Sequence, residues 1–142
     1  MSIHRQTITL RNDLAEIPRL SEFVDAFCAP LVPAPKDVPA LQLALEEAVT
    51  NVINHGYADG QPHTFTVELA AADRRVTVIL TDDAPAYNPL ARAEVDIKLP
   101  LEQRPIGGLG VHLVKKLMDS ARYERRDGRN ILTFMRTLGP AN

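Results

Sequence analysis

Residues 44–57 read Ala-Leu-Glu-Glu-Ala-Val-Thr-Asn-Val-Ile-Asn-His-Gly-Tyr and predict a helix with two unlike sides. Leu41, Leu45, Val49, Val52 and Ile53 recur at helical spacing and give it an apolar face. Glu47, Asn51 and His55 stand at i, i+4 and i+8; each step drifts by about 40° around the axis, so the three form one polar stripe. Small Ala44 and Ala48 lie beside it. A carboxylate, an amide and an imidazole in that setting suit a wall turned toward a ligand. They equally suit a solvated face with a helix end at His55-Gly56, and the stretch by itself leaves both open.

Upstream, Gln6–Leu10 has the alternation of a short strand, and Asn12 or Asp13 can cap a helix with apolar positions Leu14, Ile17, Leu20, Phe23, Val24 and Phe27. Pro30, Pro33 and Pro35 end it, and Asp37 ahead of Pro39 starts the central helix. Downstream, Thr64–Leu69 and Arg75–Leu80 both alternate around a turn at Ala72-Asp73-Arg74. Periodicity is lost from Pro85 to Ile106, a length that in a compact domain points to a functional lid or to disorder. Gly107–Asp119 turns helical again, with Val111, Val114, Leu117 and Met118 on one side, and Arg122–Arg125 with Asn130–Leu138 predict a hairpin around Asp127-Gly128. Strand, helix, helix, two strands, lid, helix, two strands is the order of an α+β two-layer sandwich: a mixed, mostly antiparallel sheet with three helices on one face. Residues 1–142 are expected to form one domain.

Composition narrows the function. The 142 residues carry 45% hydrophobic and 24% charged side chains and a net charge of −2, ordinary for a globular protein. The scattered Lys and Arg give no footprint for nucleic acid or for an anionic membrane. The N-terminus lacks the apolar core of a signal peptide and no run is long enough to span a bilayer, so the cytosol is the expected compartment. Cys28, the single cysteine, lies in an apolar run and is expected to be packing.

Two further patterns bear on chemistry. Gly107-Gly108-Leu109-Gly110 opens a helix after the long loop, a setting in which backbone amides can receive a phosphate, although such turns are often merely flexible. No Gly-Lys-Ser/Thr follows, so this is not a Walker A loop, and Lys115 and Lys116 are expected to face solvent. Asp82 and Asp83 end an otherwise apolar strand. They suit a turn, or one of them can point into a pocket and accept a hydrogen bond from a donor such as a purine amino group. Tyr87 either packs on that ligand or anchors the loop.

Taken together and in order, the stripe, the strand-end aspartate and the glycine turn resemble the ATP-binding boxes of the GHKL superfamily, the Bergerat-type fold shared by gyrase, sensor histidine kinases and MutL. The nearest resemblance is to the anti-sigma factor serine kinases of the RsbW and SpoIIAB type. Residues 47–57 resemble their N box, Asp82–Pro89 the first glycine box and Gly107–Val114 the second. The resemblance implies Glu47 as general base, Asn51 as a ligand of Mg²⁺, and Asp82 as acceptor from the adenine amino group. It further implies Gly108, Leu109 and Gly110 as phosphate-binding amides and Thr133 as an adenine contact, with His55 in support. Arg104, just before the glycine turn, is the preferred cation for the triphosphate, ahead of Arg92 and Lys98. Ala84 departs from the pattern by replacing a glycine, and its methyl group is expected to hold the loop off adenine and weaken binding.

The implied activity is that of an ATP- and Mg²⁺-dependent protein serine/threonine kinase. Such a kinase acts as an anti-sigma factor, phosphorylates a STAS-domain anti-anti-sigma protein, binds a sigma factor and commonly forms a homodimer. The alternative is a non-catalytic ATP-binding module that sequesters a protein partner, and Glu47 speaks against it, because a pure binder needs no base there.

Overall fold

The structure, a computed structural model, describes residues 3–91 and 111–140. Its strands are β1 (His4–Arg11), β2 (Thr64–Ala72), β3 (Arg75–Asp82), β4 (Ser120–Arg126) and β5 (Arg129–Thr137), and its helices α1 (Ile17–Cys28), α2 (Asp37–Asn51) and α3 (His112–Leu117). One sheet holds all five strands in the order β1-β2-β3-β5-β4. Every neighbouring pair is antiparallel, so the sheet expected to be mixed is antiparallel throughout.

Strand alternation builds the core directly. Ile8, Val67, Leu80 and Leu132 pair in a row across four strands, and Leu69, Val78 and Phe134 form a second row. These side chains share one buried cluster with Leu20, Val24 and Phe27 of α1, Leu41, Leu45 and Val49 of α2 and Val114 of α3. The helices therefore cover one face of the sheet. Each fully buried large apolar side chain contributes about 1.5–3 kcal/mol relative to exposure.

The turns follow their chemistry. Asp73 and Arg74 in one hairpin, and Asp127 and Gly128 in the other, all have positive φ (53°, 62°, 53° and 75°), as a two-residue turn matched to strand twist requires. Arg74 also donates to the carbonyls of Leu31, Val32 and Gly139, tying the first hairpin to the link between α1 and α2.

Asp37 is the first residue of α2 and only 2% exposed. Its Oδ2 accepts from the backbone amides of Ala34 and Gly139 and its Oδ1 from Arg136 Nε at 3.1 Å. Arg136 in turn donates to the Leu117 carbonyl at the end of α3. One buried carboxylate thus joins the start of α2, the end of α3 and the last strand.

Two helix boundaries differ from expectation. Asp13 does cap, accepting from Ala15 N at 2.9 Å, but the turn it caps is a 3-10 turn that leaves Leu14 50% exposed. At the other end α2 stops at Asn51, and residues 52–56 form a wider π-helical turn instead of continuing to His55. Among the described residues no helix is long and apolar enough to cross a membrane.

Candidate functional site

The polar end of the sheet lies one step beyond the core rows. Because side chains alternate along a strand, Asp82 shares the inward face of β3 with Leu80, and Asn130 shares that of β5 with Leu132. Asp82 pairs directly with Asn130, and Leu80 with Leu132. Those four side chains floor a cavity of about 430 Å³. Asn51, Val52, His55 and Gly56 line it from the end of α2 and its π turn, and Ala86, Tyr87 and Tyr123 add to the lining. A cavity of this volume, largely apolar with a few converging polar groups, suits a planar heterocycle.

Asp82 is 8% exposed. Its Oδ1 accepts from Ala84 N at 3.0 Å and from Asn130 Nδ2 at 2.9 Å. Burial pushes its carboxyl above the usual carboxylate range, and those two donors partly oppose the shift. Asp83 belongs to a different network. Tyr57 donates to its Oδ1 at 2.7 Å, and the Tyr57 ring stacks on His63 at 4.1 Å. Burial, followed by that bond to Asp83, pushes the Tyr57 hydroxyl well up.

Asn51, 9% exposed, reaches the cavity from the last turn of α2. Glu47 lies one turn earlier, about 6 Å along the same face, and is outside the set that lines the cavity. Its Oε1 is buried and has no hydrogen-bond partner among the described residues. Burial raises the Glu47 pKa, and the amides of Leu113 and His112 at the start of α3 pull it back. A buried carboxylate oxygen that no described residue fills is able to take a proton.

The cavity thus brings together Asn51, Asp82 and Tyr87, with Glu47 adjoining. Tyr87 is 40% exposed and is held by its backbone amide, which donates to Asn130 Oδ1 at 3.2 Å. Ala84 is not on the wall; it is packed behind it, 2% exposed. Thr133 is a correction. It pairs with Ile79 and Arg122, and the two-residue period turns it to the sheet face away from the helices, whereas Asn130 and Leu132 face the cavity. Arg104, Gly108, Leu109 and Gly110, and with them Arg92 and Lys98, lie outside the described residues.

Asn130 is the residue that sequence reasoning missed. Its Oδ1 accepts from Tyr87 N and from the Tyr123 hydroxyl at 2.6 Å, and its Nδ2 donates to Asp82, to Ala84 O at 3.3 Å and to Pro85 O at 3.1 Å. The available signal was parity: an asparagine in step with inward Leu132 and Phe134 must itself face inward.

Comparison with known proteins identifies the family. A family model described as the histidine kinase-like ATPase domain matches residues 10–136. The serine/threonine-protein kinase BtrW of Bordetella bronchiseptica is 31% identical over 94 residues, 66% of this chain and 66% of that protein. The serine-protein kinase RsbW of Bacillus cereus is 28% identical over 100 residues, 68% of this chain and 62% of that protein. An anti-sigma F factor of Clostridium novyi is 26% identical over 111 residues, covering 77% of this chain and 78% of that protein. The matched region thus spans slightly under two thirds of the first two relatives. In fold, the chain is similar to the crystal structure of the RsbU and RsbW domains of a Mycobacterium tuberculosis protein, with a TM-score of 0.67 at 21% identity over 97% of this chain and 34% of that one. The chain belongs to the histidine kinase-like ATPase family.

Proposed function

From that membership, we propose that the chain is an ATP-dependent protein serine/threonine kinase acting as an anti-sigma factor. Its substrate in this reading is a serine of a STAS-domain anti-anti-sigma protein, and its second partner is a sigma factor, bound by a homodimer of the chain. The observation that carries the proposal is the pairing of a cavity of about 430 Å³, lined by Asn51 and Asp82, with a carboxylate oxygen of Glu47 that has no partner among the described residues, one helical turn away. Relatives named as serine-protein kinases and as an anti-sigma F factor support it.

In this reading Asp82 accepts a hydrogen bond from the adenine amino group, and Leu80, Leu132 and Tyr87 enclose the ring. Gly108, Leu109, Gly110 and Arg104 meet the phosphates. The residues fit a divalent cation: Asn51, which carries an amide oxygen, lines the cavity, and Glu47, one turn earlier on α2, has a buried carboxylate oxygen without a partner among the described residues. Asn51 would hold Mg²⁺, which when bound neutralises triphosphate charge. Glu47 takes the proton of the attacking serine hydroxyl, and its raised pKa matches the carboxylate to work nearer neutrality than an exposed glutamate.

The test is incubation of the purified chain with radiolabelled ATP and each STAS-domain protein of its source organism. Label on a serine of one of them is the expected result. Tight ATP binding with no transfer to any of them would favour the binding module instead.

A further inference from the structure

Asn130 makes five hydrogen bonds, and together they fill it. Both acceptor positions of its Oδ1 are taken, by Tyr87 N and the Tyr123 hydroxyl. One Nδ2 hydrogen goes to Asp82 Oδ1, and the other is shared between the carbonyls of Ala84 and Pro85. The side chain is 7% exposed and has nothing left to offer a ligand. Its effect falls on Asp82. A carboxylate oxygen accepts about two hydrogen bonds, and Asp82 Oδ1 already has two, from Asn130 Nδ2 and Ala84 N. Asp82 therefore presents one acceptor oxygen, Oδ2, rather than two.

That count separates the purines. Adenine offers a single exocyclic amino group beside a ring acceptor, and one carboxylate oxygen satisfies it. Guanine offers a ring N–H and an amino group side by side, a parallel pair of donors that aligns with two open carboxylate oxygens and must converge, poorly aligned, on a single one. We infer that Asn130 is a specificity-determining positioning residue: by occupying Oδ1 of Asp82 it leaves a carboxylate with one open oxygen, which selects adenine over guanine nucleotides. This rests on the proposed nucleotide site and deepens it. A site that leaves a ligand donor poorly paired disfavours that ligand, and Asn130 denies guanine the second oxygen that would align both of its donors.

The experiment is calorimetric titration of the wild-type chain, Asn130→Ala and Asn130→Ser with non-hydrolysable ATP and GTP analogues, with circular dichroism to check folding. Removing the amide should lower the preference for ATP over GTP by about 10-fold, the worth of one charge-assisted hydrogen bond, with the GTP analogue holding or gaining affinity. Loss of both nucleotides by the same factor, or an unchanged ratio, would overturn the inference and show a merely structural asparagine. Should Asn130→Ala fail to fold, Asn130→Ser gives the same ratio, since the shorter hydroxyl cannot span Asp82 and both loop carbonyls. A wild-type chain that binds neither analogue would instead remove the proposed nucleotide site and this inference with it.

Discussion

Gly56 and Ala84 pack against each other: a β-carbon placed on Gly56 would lie 3.5 Å from the Ala84 methyl, ordinary contact distance. The methyl lies toward the π turn, and Ala84 is not among the residues that line the cavity. Ala84→Gly is expected to leave ATP affinity within about twofold of wild type while lowering stability by about 0.5–1 kcal/mol through backbone entropy. Calorimetry with urea denaturation reads both, and a clear gain in affinity would show that the methyl stands in the ligand's way.

Glu47→Gln should retain ATP binding and slow phosphoryl transfer by about 10²–10⁴-fold. The wild-type rate should rise with pH through the raised Glu47 pKa and then level off, because the base works only when ionised. The residual rate of the variant should be flat over that range. A variant with the wild-type pH profile would remove Glu47 from the mechanism.

The same shift has a stability consequence of definite sign. A carboxyl whose pKa is raised by folding holds its proton more tightly in the native state. Its favourable contribution is complete below the unfolded-state pKa and is lost as pH rises through the folded value. Glu47→Gln should therefore raise the melting temperature near neutral pH, with the gain fading in acid. A gain independent of pH would point to packing instead of charge.

Asp82→Asn should weaken nucleotide binding by about 10–100-fold, as expected for losing a hydrogen bond to a charged acceptor. Asn51→Ala should weaken it only when Mg²⁺ is present. Titrations with and without chelator separate the two, and equal effects of chelator on wild type and Asn51→Ala would withdraw Asn51 as the metal ligand.

Asp37→Ala tests the frame rather than the chemistry. It removes the acceptor for Ala34, Gly139 and Arg136 together and strands a largely buried guanidinium. A loss of about 3–5 kcal/mol is expected, seen as a lower urea midpoint. A loss below about 1 kcal/mol would mean that the three groups find other partners.

Periodicity made most of the fold legible. The alternation of Thr64–Leu69 and Arg75–Leu80 marked strands that pair as an antiparallel hairpin, and the proline cluster after Phe27 marked the end of α1. The boundary at Asn51 was not legible, because a π turn is a change in hydrogen-bond spacing that leaves no compositional trace. Within the site, Asn51 and Asp82 stood out as polar residues on apolar elements. Thr133 was misplaced because motif position was followed where strand parity should have decided. Asn130 was overlooked because its importance lies in five partners spread over residues 82–123, which no local window contains.

The π turn gives residues 52–56 an unusual sensitivity to counting. Deleting any one of them would let α2 continue in its ordinary, tighter winding and shift the residues that follow. Gly56 would lose its place opposite Ala84, and Tyr57 its reach to Asp83. At this one point in the chain, how many residues there are matters as much as which they are. A library of single deletions here should lose nucleotide binding wholesale, while most substitutions at exposed Asn54 should pass unnoticed.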